Sequence, residues 1–359
     1  MADRPHVIVV GAGIIGASIA WHLARDGAKV TIIEADQPGG IATRHSWAWL
    51  NASWGNPEPY FRLRIRAMAE WKRLAKEVPA IRLHWLGGLI YDLPPGELDA
   101  YATQHSTWGY GIRRVTADEI SRMEPALKAP PAMALHVAEE GALEPLATAQ
   151  ALLAAAVGLG AELQHASVTG IDMAAGNIVG IVTAQRRIAA DQVVVAAGTA
   201  TTALAATAGV NVPTSAPPGL LVATKPTTTR LNGLVMAPDM HVRQLEDGRL
   251  LAGAHFGGSD PGSDAAGTAR TVFTGLQAML TGGDTLAFDR YQIGHRPMPA
   301  DGFPIVGPAP DRPGLYLAVT HSGITLAPAI GLFAAAEILG RQRDPLLAPY
   351  GPGRFGISR

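Results

Sequence analysis

The sequence predicts an α/β (α+β) fold built on a split, Rossmann-like dinucleotide-binding sheet, and three observations carry that prediction. A β-branched run, His6–Val10, enters a glycine loop, Gly11-Ala12-Gly13-Ile14-Ile15-Gly16, and then an apolar helical stretch over 17–24. A second strand, Lys29–Glu34, ends in an acid 18 residues after Gly16. A further buried strand over 188–198 (IAADQVVVAAG) returns to the sheet some 150 residues later, so the nucleotide-binding unit is discontinuous.

Each residue type in the first unit has a physical task. Val7, Ile8, Val9 and Val10 are apolar on both strand faces, which is the pattern of a buried parallel strand. Gly11 permits the tight turn, Gly13 lets backbone approach a pyrophosphate at the helix N-terminus, and Gly16 lets helix and strand pack closely. Glu34 is placed to accept hydrogen bonds from ribose hydroxyls, and an acid there disfavours a 2′-phosphate, hence NADP. The motif alone does not separate FAD from NAD. Short strands over 167–171 and 177–184 precede the 188–198 strand, whose Ala196, Ala197 and Gly198 let backbone come near a ligand.

Composition sets the outer limits. With 48% apolar and 16% charged residues, the 359-residue chain reads as a compact enzyme rather than a disordered one. A net charge of −1 leaves no large basic field for nucleic acid. The absence of cysteine excludes disulfides, thiolate metal sites, a thiol nucleophile and a cysteinyl flavin link. The histidines show neither HxxxH nor HxH spacing, so no metal site is expected. Gly11, Gly13 and Gly16 interrupt the apolar N-terminal run, which argues against a signal peptide or membrane span and for a cytoplasmic protein.

Two C-terminal segments, 294–307 (GHRPMPADGFPIVG) and 315–331 (LYLAVTHSGITLAPAIG), put another glycine turn before a helix. Together with GAGIIG, Glu34 and VVVAAG they resemble the D-amino-acid-oxidase-like superfamily of FAD-dependent oxidoreductases, in its glycine oxidase and sarcosine oxidase/dehydrogenase branches. The resemblance spans nearly the whole chain and is weakest over 76–145. It implies an extended FAD held by a discontinuous domain of residues 1–75, 145–215 and 290–359. An antiparallel-sheet substrate/cap domain, 76–144 and 216–289, is implied over the flavin ring. The sequence agrees at 233–256, which reads as a hairpin turning at Glu246-Asp247-Gly248. HSGITLAP argues against an NAD enzyme.

The resemblance implies oxidation of a C–N bond in a small amino acid or N-alkyl amino acid, by hydride transfer to flavin N5, giving an imine that hydrolyses. Oxygen or another electron acceptor reoxidises the flavin. Arg296, in GHRP, occupies the place of the carboxylate-binding arginine; the alternative is a loop brace paired with Asp301. His321, Ser322, Gly323, Ile324 and Thr325 are expected against the flavin ring. Ser322 stands where some relatives have arginine, which puts a doubly clamped carboxylate in doubt. Ala35 and Val168 are further expected FAD contacts, as are Thr43, Arg44, His45 and Ser46. His45 is a candidate for a covalent FAD link, although noncovalent binding is favoured.

Trp47, Trp49 and Trp54 suggest either an aromatic wall or core filling. His241 and His255 alternate with Arg243 along the 233–256 segment and are pocket candidates. Residues 57–78 read as an amphipathic helix with Phe61, Ile65, Met68, Trp71 and Leu74 inside and a solvated basic face. Two rivals remain within the fold. A 2-hydroxy-acid dehydrogenase would need a base such as His255 or His321. A flavin-bearing subunit would pass electrons to a partner protein.

Overall fold

In the computed structural model, which describes residues 4–52, 55–255 and 257–356, the glycine-loop unit lies at the centre of a six-stranded sheet. Its order is Ile305–Pro308, Leu315–Val319, Gln192–Val195, His6–Val10, Lys29–Glu34, Glu162–His165. All neighbours are parallel except the first pair. Both faces are covered, as a parallel sheet requires. Val7 and Val9 pack against the helices Ile14–Arg25, Pro145–Gly158 and Gly323–Ile338. Ile8 and Val10 point the other way, onto Ile171, Ile178 and Ile181. Period-two alternation therefore builds two cores from one strand.

Two sequence expectations are corrected by the way the chain bends. The run 188–198 is two strands, not one. Arg187–Ala189 closes a three-stranded antiparallel sheet with Val168–Ala174 and Asn177–Thr183, and only Gln192–Val195 enters the parallel sheet. Asp191 holds the bend between them, its carboxylate accepting the His6 backbone N–H at 2.7 Å. Likewise 233–256 is not a single hairpin. Leu234–Ala237, Met240–Gln244 and Leu250–Gly253 form a three-stranded meander with an extra tight turn at Pro238-Asp239.

That meander belongs to an eight-stranded sheet ordered Phe288–His295, Pro218–Thr224, Leu250–Gly253, Met240–Gln244, Leu234–Ala237, Gly88–Ile90, Met133–Val137, Ile112–Thr116. It is antiparallel throughout, save where Leu234–Ala237 lies parallel to Gly88–Ile90. The strand Phe288–His295 runs across the boundary expected at 290 and pairs with Pro218–Thr224. Leu220, Val222, Leu250 and Ala252 face the helix Ala265–Met279. Leu221, Ala223 and Leu251 face Trp47, Trp49 and Phe61. One face thus makes an ordinary core and the other meets the cavity described below.

The helix Glu58–Glu77 joins the two regions. Phe61, Met68, Trp71 and Leu74 are buried as the pattern predicts, while Ile65 is half-buried and Arg62 and Lys72 are exposed. Arg64 breaks the pattern, being buried on the apolar side. The Trp71 indole N–H donates to the Ile324 carbonyl at 2.9 Å, tying this helix to Gly323–Ile338. Among the described residues, no helix is long and apolar enough to cross a membrane.

Candidate active site

A cavity of about 610 Å³ is lined from both sheets, a volume in the range of small-molecule and cofactor pockets. The turn between His6–Val10 and Ile14–Arg25 forms one part of it. Gly11 has φ +104°, and a Cβ there would stand 2.5 Å from the Ala196 carbonyl oxygen. The Cβ of a residue at 13 would meet nothing closer than Thr43 Oγ1 at 3.4 Å, so Gly13 leaves its space to the cavity. Gly16 sits behind the lining, where a Cβ would come within 1.9 Å of the Gly11 carbonyl oxygen. Gly11, Gly13, Ile14 and Ile15 line the cavity; Gly16 lets the helix press on the turn.

No side chain of residue 13 caps this helix, and Ile14 N–H is taken by Thr43 Oγ1 at 3.1 Å. The N–H groups of Ile15 and Gly16 have no carbonyl one turn earlier within the helix, and they carry its positive end. Glu34 is held by its neighbours: Oε2 accepts the Ala12 N–H at 2.7 Å and Oε1 the Asp36 N–H at 3.0 Å. Its remaining lone pairs can accept from ribose hydroxyls. Ala35, Val168, Ala196, Ala197 and Gly198 line the cavity as well. This donor set suits a pyrophosphate flanked by ribose, which is the demand of FAD.

The next stretch lines the cavity through Thr43, His45 and Ser46 but not Arg44. Arg44 turns back, donating to the carbonyls of Gly40 at 3.0 Å and Gln37 at 3.1 Å, and so braces its own loop. His45 is half-buried, close under Gly294. Burial lowers its pKa, against a hydrogen bond with the Ile41 backbone. Trp47 and Trp49 also line the cavity, with ring centroids 6.1 Å apart in an edge-to-face pair. Trp54 lies outside the described residues.

Residues His321, Ser322, Gly323, Ile324 and Thr325 all reach the cavity at the N-terminus of Gly323–Ile338, a second helix end without a side-chain cap. Thr325 Oγ1 donates to the Trp49 carbonyl at 2.9 Å. Arg296 lines the cavity beside Gly257, where a Cβ would fall 2.1 Å from its Nη1. Its Nε is buried without a hydrogen-bond partner, and among the described residues its guanidinium makes no ion pair. Asp301 pairs instead with Arg354 at 2.7 Å, which removes the loop-brace alternative. Burial lowers the Arg296 pKa, with nothing opposing it.

The structure does not bring His241 and His255 to the lining. His241 is 2% exposed and its Nε2 lies 2.7 Å from Asp92 Oδ2, a pair buried within the large sheet. His255, just past Leu250–Gly253, is exposed overall, yet partial burial and the nearby charges of His241 and cavity-lining Arg296 lower its pKa, so it stands beside the cavity without lining it. The structure adds a residue that the amphipathic pattern concealed: Arg64 lines the cavity and donates from Nη1 to Ser322 Oγ at 2.8 Å.

Burial holds the His321 imidazole down to about 4, and the charges of Arg64 and Arg296 push the same way against a hydrogen bond with the Gly302 backbone. Burial likewise holds His22 down to about 3. In the unfolded chain both bind a proton near ~6.5, so below that pH the unfolded state holds more protons. Their unfavourable contribution is absent above about pH 6.5 and grows as pH falls toward 4. The melting temperature is therefore expected to drop across that window, and replacing His321 by Gln should make the drop shallower. A melting profile with the same slope in both proteins would contradict the assignment.

Comparison with known proteins agrees with this geometry. The family model described as "FAD dependent oxidoreductase" (DAO) matches residues 6–337. The chain is 28% identical to a glycine oxidase of Bacillus licheniformis, covering 95% of this chain and 94% of that one. It is 26% identical to a D-amino-acid oxidase of Bradyrhizobium diazoefficiens, covering 99% and 100%. The crystal structure of glycine oxidase from Geobacillus kaustophilus superposes with a TM-score of 0.89 at 26% identity, covering 98% of this chain and 99% of that one.

Proposed function

This chain belongs to the DAO family of FAD-dependent oxidoreductases, and from that premise we propose that it oxidises the C–N bond of a small amino acid or N-alkyl amino acid. The product would be an imine, which water hydrolyses to an oxo acid and an amine. Arg296 carries this reading: a cavity-lining guanidinium with no carboxylate partner among the described residues is suited to the substrate carboxylate.

When bound, FAD supplies the acceptor for a hydride from the substrate α-carbon. Residues 11–15, Glu34 and Ala196 to Gly198 would hold its dinucleotide part. Residues 321–325 with Thr43, His45 and Ser46 would hold the rest, without a covalent bond. Arg296 fixes the carboxylate, so the α-carbon is presented in one orientation. Trp47, Trp49 and Leu221 are apolar walls on the cap side, and they keep water from the α-carbon. On this reading the cap and the nucleotide-binding unit are the two domains that the sequence divides.

The electrostatics favour an amine over a 2-hydroxy acid. His321 is a weak base, and alcohol oxidation needs a base for the hydroxyl proton. An amine needs none if it binds uncharged, and two cavity-lining arginines, Arg64 and Arg296, disfavour a bound ammonium.

Oxygen uptake with a panel of amino, N-methylamino and 2-hydroxy acids, repeated with an artificial acceptor, tests the substrate and the oxidant together. Turnover of hydroxy acids alone would overturn the amine reading. Turnover with the artificial acceptor but not with oxygen would favour electron transfer to a partner. The purified protein should show flavin bands near ~450 nm. Acid precipitation should release the colour to the supernatant, and colour retained in the pellet would point to a His45 bond.

A further inference from the structure

Among the described residues, Arg64 is the cavity-lining arginine to which the reading above gives no ligand. It is 6% exposed, and every nitrogen of its guanidinium donates to a neutral group. Nε donates to the Asn51 carbonyl at 2.9 Å, Nη2 to Asn51 Oδ1 at 2.6 Å, and Nη1 to Ser322 Oγ at 2.8 Å and more weakly to the Tyr60 hydroxyl at 3.5 Å. Among the described residues no carboxylate pairs with it. Arginine stays charged at any working pH, and a buried charge is costly unless an opposite charge meets it. The described residues supply no such charge, so the counter-ion is expected from outside them.

Its surroundings say where that anion sits. Ser322 immediately precedes Gly323–Ile338 and does not cap it, so the guanidinium and the positive helix end add at one place on the cavity wall. Bracing the loop 47–52 does not account for the charge. That loop is also tied by Thr325 Oγ1 to the Trp49 carbonyl, by the Trp49 indole N–H to Glu140 at 2.8 Å, and by the Ala52 N–H to the Tyr110 hydroxyl at 3.1 Å. None of these ties uses a cation.

We propose that Arg64 is a positioning residue that sets the electron affinity of the bound flavin, its charge delivered through Ser322 and Asn51 to the reduced ring. The inference rests on the reading above, which lays the ring against residues 321–325. Hydride transfer breaks the substrate Cα–H bond and adds its proton and both electrons to the ring, leaving the ring one negative charge. Arg64 favours that state over the neutral oxidised one.

The test uses the holoenzyme without amine substrate. The midpoint potential is measured by dye equilibration, and the Kd for sulfite by titration. Sulfite forms an N–S bond with the oxidised ring through its sulfur lone pair, leaving negative charge on the ring, so it reports the same field. Arg64→Gln is expected to lower the potential by about 30 mV or more, the equivalent of a tenfold change in a two-electron equilibrium. It should weaken sulfite binding by at least about tenfold in parallel. Arg64→Lys, which keeps the charge, should recover most of both. Asn51→Asp leaves Arg64 in place but gives it a carboxylate partner, and should move both readouts in the same direction as Gln. It decides the matter if Arg64→Gln does not fold. An unmoved potential and sulfite Kd in Asn51→Asp, or equal losses in Gln and Lys, would overturn the proposal. A wild-type protein without flavin bands would overturn the functional reading first; bound flavin with an unmoved potential would sink this inference alone.

Discussion

Replacing Arg296 by alanine is expected to raise KM for the amino-acid substrate by about 30- to 150-fold while bound flavin stays near its wild-type level. The magnitude follows from removing one partner of a partly buried, hydrogen-bonded charge pair, which costs about 2–5 kcal/mol, and each ~1.4 kcal/mol is tenfold. Arg296 is only half-buried, so the lower part of that range is appropriate. The flavin content should hold because the guanidinium makes no ion pair among the described residues and its Nε bonds nothing. Its backbone N–H, which donates to the Pro217 carbonyl at 3.2 Å, survives the substitution. Arg296→Lys keeps the charge but not the planar fork, and should recover only part of the loss. Should Arg296→Ala instead yield protein without flavin, the residue holds the cofactor or the fold, and the assignment to substrate fails.

The fates of Arg296 and Arg64 show what a sequence can carry. The loop of residues 11–16 was legible because its requirements are local: a turn, a close approach and a helix start follow from neighbours in the chain. The place of Arg296 on the cavity wall is reached from the sequence only through resemblance, since nothing in GHRP itself says whether Asp301 will pair with it. That depended on Arg354, 53 residues beyond Asp301, which takes the carboxylate. The amphipathic pattern, with Arg62, Arg66, Lys72, Arg73 and Lys76 largely outside, leaves Arg64 unassigned. A local signal did exist. Positions 61, 64, 68 and 71 fall on one helical stripe, and an arginine among Phe61, Met68 and Trp71 is out of place there.

The cap was harder to read for a different reason. Period-two alternation placed His241 and Arg243 on one side of a strand, and both are indeed buried together. Alternation cannot say what that side meets. Their partners, Asp92 and Glu144, lie 149 and 99 residues earlier in the chain. The turn at Pro238-Asp239 was hidden because only two residues separate Leu234–Ala237 from Met240–Gln244, inside a run that reads as continuous strand. Edge order and the one parallel pairing, with Gly88–Ile90, are likewise set by distant segments.

The second large effect is expected at Gly11, where alanine should give a protein that folds poorly or purifies without flavin. Two penalties combine there. The backbone has φ +104°, a region that side chains with a Cβ rarely enter, and the new methyl would lie 2.5 Å from the Ala196 carbonyl oxygen. That oxygen belongs to the main chain just after Gln192–Val195, so relief requires moving either the turn or the strand end that lines the cavity. Strain of this kind costs about 1–3 kcal/mol before any clash is counted. Gly27 separates the two causes. It has φ +92°, yet a Cβ there would meet nothing within 4 Å. Gly27→Ala should therefore carry the conformational cost alone, lowering the melting temperature by a few degrees with full flavin content. Flavin per chain and melting temperature, measured on both variants, check the argument. If Gly11→Ala retains flavin as well as Gly27→Ala does, the turn is not the part of the cavity that grips the cofactor.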